Sequence, residues 1–157
     1  MMGEGHSGKK GGGGGLSSLG PAATESMEQQ CLMKWTHYNL GRWPQLRLLY
    51  HIPNEGRRSQ TTGGRLKAEG MKRGVPDLCL PVAKGGWHAL YIELKRRDGG
   101  RVSQEQKEWL DALAEAGNRA VICRGWEEAA QEIEAYLRMP EPDWENRRTL
   151  IIDRADT

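Results

Sequence analysis

Two runs in this sequence, Gly74-Val75-Pro76-Asp77-Leu78 and Leu90-Tyr91-Ile92-Glu93-Leu94-Lys95, leave the backbone little choice. Successive side chains of an extended strand alternate faces, so Leu90, Ile92 and Leu94 share one face and Glu93 and Lys95 the other. The earlier run alternates as well, with Leu78, Leu80 and Val82 opposed to Asp77, Cys79 and Pro81. A hairpin through Lys84-Gly85-Gly86 buries the aliphatic residues of both runs together and brings Asp77 beside Glu93 and Lys95.

Two carboxylates and a lysine at the edge of a sheet suit a divalent cation. Mg²⁺ takes oxygen ligands and keeps several waters, so Asp77 and Glu93 with the Leu94 backbone carbonyl are enough protein ligands. Such an ion polarises a phosphoryl oxygen and lowers the pKa of a bound water, while Lys95 orients that water or balances developing charge. The chemistry expected is phosphodiester hydrolysis.

The charge distribution agrees. The net charge of +2 hides a basic segment: residues 57–101 hold eleven Lys or Arg against four Asp or Glu, whereas residues 102–157 hold seven against thirteen. A basic patch around acidic ligands fits a polyanionic substrate. Lys67, Lys72 and Arg73 are the residues expected to meet phosphates, with Arg96 contributing one further contact. The three cysteines, Cys31, Cys79 and Cys123, have no Cys-x-x-Cys spacing, which leaves no disulfide framework or zinc site and points to a reducing cytoplasm. No run approaches the ~20 apolar residues of a membrane span, and the N-terminus has no apolar signal core.

At 157 residues the chain fits one domain. Residues 1–23 read as a Gly-rich tail, and the P-loop-like Gly3 to Lys10 is rejected because consecutive glycines follow it instead of a helix. The folded domain spans 24–138, and 139–157 is a polar tail. Thr24 caps an amphipathic helix whose apolar residues are Met27, Cys31, Leu32 and Trp35. Leu46 to Ile52 reads as a short strand ended by Pro53, with Asn54 in the following turn free to hydrogen-bond backbone or substrate. Ser103 and Gln106 form a capping box at the start of a helix that runs to Gly117. Arg119 to Cys123 is a strand expected to be buried on both faces, and a parallel crossover joins it to the Glu93 strand. Trp126, Ala129, Ala130, Ile133 and Leu137 stripe a last helix.

Pro76-Asp77, fifteen residues and then Glu93-Leu94-Lys95 resembles the PD-(D/E)xK nuclease signature. In order with Ile52-Pro53-Asn54, Lys67-Ala68-Glu69-Gly70, Gly74 to Asp77, Ser103 to Gln106 and the Trp126 helix, it resembles the VRR-NUC (virus-type replication-repair nuclease) family from about Glu25 to Leu137. The resemblance implies a restriction-endonuclease-like α/β fold, a mixed sheet flanked by helices. It implies a Mg²⁺-dependent DNA endonuclease, with Mn²⁺ able to substitute, and a catalytic set of Glu25, Asp77, Glu93, Lys95 and Gln106. Glu25 would be a further metal ligand from the N-terminal helix. Glu28, one turn on, is the reserve, and the sequence does not decide between them. Phage or prophage origin in a bacterial host, branched DNA such as a Holliday junction and a homodimer are further implications. Two rival readings stand beside these: a nucleic-acid-binding module of the same fold without catalysis, and a structural domain in which Glu93 and Lys95 are a solvated strand face.

Overall fold

The computed structural model describes residues 23–53, 64–65 and 67–142. Its elements in order are α1 (Glu25–Asn39), a 3-10 helix (Pro44–Leu48), β1 (Tyr50–His51), β2 (Leu78–Leu80), β3 (Leu90–Lys95), α2 (Gln104–Glu115), β4 (Arg119–Arg124) and α3 (Trp126–Leu137). The four strands form one mixed sheet in chain order. β1–β2 and β2–β3 are antiparallel, and β3–β4 is parallel because α2 carries the chain back across the sheet. The α/β fold that the family resemblance implies, a mixed sheet flanked by helices, is therefore present.

The core lies on the face of the sheet that carries Leu78, Leu80, Leu90, Ile92, Leu94 and Cys123. Leu32 from α1 and Ala129, Ala130, Ile133 and Leu137 from α3 close over them. Tyr136 joins this core with its ring buried and its hydroxyl donating to the Val82 carbonyl at 2.7 Å, so its polar tip is satisfied. Met139 packs on the core as well. The Pro140 carbonyl accepts the Gly85 N–H at 2.8 Å and Glu141 pairs with the buried Lys84. The first residues beyond α3 thus clamp the β2–β3 hairpin.

Three expectations change. The run Leu46 to Ile52 is half helical: Pro44 opens a 3-10 turn through Leu48, and only Tyr50–His51 pair with β2. The buried stripe of α1 is Glu28, Leu32 and Thr36, while Met27 and Cys31 are exposed. Spacing by four puts these residues on one line, and each polar member has a partner. Thr36 donates to the Leu32 carbonyl at 2.9 Å, and Glu28 accepts the Trp126 N–H at 2.9 Å. Finally, among the described residues β4 lies at the edge of the sheet and is only partly buried, with Ile122 exposed and Cys123 alone fully covered.

Candidate active site

The site begins where β2 stops. Pairing of Leu78 with Ile92 sets the register, and one step further sets Asp77 opposite Glu93 and Pro76 opposite Leu94. Pro76 has no N–H to give to a ladder partner, so regular pairing ends there. The Asp77 carboxylate takes over and accepts the Leu94 N–H at 2.8 Å. The Lys95 carbonyl accepts from Gly125 on the β4 side at 2.9 Å, so the peptide groups of Leu94, which alternate with it, face β2. The Leu94 carbonyl and the Asp77 carboxylate therefore lie on the same side of β3. From the other flank, the Asp77 carbonyl accepts the Ile52 N–H at 2.8 Å and lies 2.9 Å from His51 Nδ1.

Glu93 and Lys95 are not a solvated strand face; they are 1% and 5% exposed. Lys95 Nζ lies 2.8 Å from Glu93 Oε1 and 3.6 Å from Glu25 Oε1. Gln106 Nε2 donates to the same Glu93 oxygen at 2.5 Å, while Gln106 Oε1 accepts the Ser103 N–H at 2.8 Å. Capping box and site contact are therefore one arrangement, in which the cap fixes the side chain that steadies Glu93. Glu93 Oε2 is buried without a hydrogen-bond partner.

Burial pushes the Glu93 carboxyl up to about 7; its bond to Lys95 pulls the other way, and the charges of Asp77 and Glu25 add to the rise. For Lys95, burial acts to lower the pKa, but the hydrogen bond and charge of Glu93, with Glu25 and Asp77 behind, more than offset it. Lys95 is thus an ammonium at neutral pH.

A buried carboxylate with one orphaned oxygen and other carboxylates nearby fits an oxygen-seeking divalent cation. Among the described residues no three His, Cys, Asp or Glu side chains gather into a ready-made metal cage. In their place Lys95 stands between Glu25 and Glu93 as the counter-charge.

Glu25 and Glu28 play different parts. Glu25 reaches Lys95 with its side chain half exposed, in the first turn of a helix started by Thr24. Glu28 is buried and caps α3, whose N-cap Gly125 has no side chain to do so. Glu25, Lys95 and Gln106 open onto a cleft of about 450 Å³, walled by Arg73, Arg101 and Glu105. Gly74 belongs to this wall: its φ is +79°, and a Cβ there would lie 2.7 Å from the Glu105 backbone. The close approach brings the Asp77 segment against the start of α2.

Of the residues expected to meet phosphates, Arg73 lies on the cleft, and Lys67, Lys72 and Arg96 are exposed. Asn54 lies outside the described residues. Arg101 was not singled out by the sequence, although it ends the basic loop that follows Lys95.

A VRR-NUC domain family model matches residues 23–127. A solved structure of a VRR_NUC domain protein superposes with a TM-score of 0.67 at 27% identity, covering 77% of this chain and 93% of that one. No curated protein matches the chain.

Proposed function

The chain belongs to the VRR-NUC domain family and so has a nuclease-type function acting on DNA, and from that premise we propose that it is a metal-dependent endodeoxyribonuclease. The observation that carries this reading is the buried Glu93, with Oε1 held by Lys95 and Gln106, Oε2 left unpartnered, and the charge of Asp77 near enough to raise its pKa. Asp77, Glu93 and the Leu94 carbonyl would hold Mg²⁺ or Mn²⁺, with Glu25 at the margin. A cation bound there would supply Lewis-acid stabilisation of the phosphate and a more acidic water.

The protein's own residues do the rest. Arg73 and Arg101 draw the phosphate backbone to the cleft, with Lys67, Lys72, Arg96 and Asn54 as further contacts along the strand. Lys95, held between Glu93 and Glu25 on the cleft, would orient the attacking water or meet charge developing on the phosphoryl oxygens. Gln106 keeps Glu93 in one rotamer throughout.

Branched DNA is the proposed substrate and a homodimer the proposed assembly, two sites then meeting one junction. Both rest on family resemblance, as does action in the cytoplasm of a bacterial host from a phage or prophage gene. The deciding experiment incubates the protein with junction, flap and linear DNAs, with and without Mg²⁺ or Mn²⁺. Metal-dependent cleavage of the junction with internal cuts supports the whole reading. Tight binding without cleavage under any metal would make the protein a binding module.

A further inference from the structure

The stretch 96–103 between Lys95 and α2 folds back over the end of β3. Gly100, at φ +88°, packs so closely that a Cβ there would lie 3.2 Å from Lys95 Cβ, 3.3 Å from Lys95 Cδ and 3.3 Å from Glu25 Oε1. A larger residue there would strain the backbone and crowd Lys95 and Glu25. The Gly100 backbone is therefore a wall against the stem of Lys95, and it contributes to the 5% exposure of that residue.

What holds the wall comes from the neighbouring strand. Arg124, paired with Lys95 in the β3–β4 register, donates through Nη1 to the Gly99 carbonyl at 2.7 Å and to the Gly100 carbonyl at 3.2 Å. Its own position is set from α3, since Glu128 Oε2 accepts the Arg124 N–H at 2.9 Å. One guanidinium thus spans two successive carbonyls of a loop rich in glycine, whose conformational freedom is otherwise large. Arg97, paired with Glu127, ties the start of the same loop to α3.

We propose that Arg124 is a positioning residue: by holding the Gly99 and Gly100 carbonyls it fixes the loop that packs on Lys95 and so orients the Lys95 ammonium for the reaction. This rests on the nuclease reading for its consequence in catalysis. The latch itself is a property of the fold and is read separately.

The test uses the full chain and the variants Arg124→Ala, Arg124→Lys and Gly100→Ala. Acetylation by an N-hydroxysuccinimide ester, quantified by peptide mass spectrometry, reports the modification of Lys95 relative to the exposed Lys67. Arg124→Ala and Gly100→Ala are each expected to raise that ratio several-fold, one by releasing the loop and the other by pushing it away. Arg124→Lys, which can still reach one carbonyl, falls between wild type and Arg124→Ala. In cleavage assays Arg124→Ala should lower kcat by about 10-fold or more with KM little changed, as misplacement of a reacting group does, and Arg124→Lys should recover part of the loss. An unchanged Lys95:Lys67 ratio in both disruptive variants overturns the proposal. So does a raised KM with unchanged kcat, which marks Arg124 as a plain phosphate contact. If the wild type cleaves no DNA, the nuclease reading falls, and the acetylation ratio still decides the latch.

Discussion

Gln106 bridges Ser103 and Glu93: its carbonyl oxygen accepts the Ser103 N–H at 2.8 Å and its amide donates to Glu93 Oε1 at 2.5 Å. The start of α2 and the carboxylate of β3 are thus joined through one side chain. Glu93 is buried, so any loss of this donor is felt in a low-dielectric setting.

Substitutions at Gln106 separate the two contacts. Gln106→Glu keeps an acceptor for the Ser103 N–H but sets a second carboxylate against Glu93, whereas Gln106→Ala removes both bonds. Gln106→Ala should lose about 1 kcal/mol from the cap alone. Cleavage should fall in both variants, on the order of 10- to 100-fold for a displaced first partner of the site. Loss of activity in Gln106→Ala but not in Gln106→Glu would assign the residue to the helix cap only. Thermal melts beside cleavage rates make the comparison.

Much of this site was legible in the sequence because it is built from alternation and register. The hairpin, the shared face of Glu93 and Lys95, and the Ser103 cap follow from local rules, and the structure repeats them. What local rules could not supply was tertiary partnership. Glu28 reads as a first-turn helix acid, but its use depends on Gly125, far along the chain, needing a cap for α3. Burial of Glu93 and Lys95 depends on α1, α2 and the Gly100 loop arriving together, which no strand pattern encodes. The burial expected for β4 was wrong because a run of apolar residues does not say how much of each face the neighbouring helices cover.

The two acids of α1 should part in experiment. Glu25→Gln, at a half-exposed position beside Lys95, should reduce cleavage and leave the melting temperature within a degree or two, roughly as expected for a surface change. Glu28→Ala leaves the part-buried Trp126 N–H without its acceptor and should cost about 1–3 kcal/mol, while leaving the site chemistry intact below the melt. Equal stability losses in both variants would contradict the division of roles.

Stability without metal should fall as pH rises through the neighbourhood of 7. The Glu93 carboxyl moves from an ordinary 4.5 to about 7, so between these values the folded state holds a proton that the unfolded chain has lost. Its contribution is fully present below about 4.5 and is lost as pH passes about 7. Denaturant titrations in EDTA across this range measure it. Glu93→Gln should flatten the slope. A stability that rises with pH over the window in wild type but not in the variant would show a depressed Glu93 pKa.

The strongest test of the metal reading comes from Lys95, because it competes with a cation for Glu93. Lys95→Met removes the ammonium 2.8 Å from Glu93 Oε1 and keeps a stem of similar volume. The freed carboxylate is buried, so it protonates in the absence of metal and the fold is retained. Calorimetry with Mn²⁺ should then find binding at least as tight as in wild type, with a proton released to buffer as Glu93 ionises. Asp77→Asn and Glu93→Gln should each abolish that heat. Cleavage should fall by about 100-fold or more in Lys95→Met despite the bound cation, since the group lost acts on charge developing in the transition state. Weaker Mn²⁺ binding in Lys95→Met than in wild type would mean that the lysine supports the metal site instead of competing with it, and heat unchanged in Asp77→Asn and Glu93→Gln would remove both carboxylates from the ligand set.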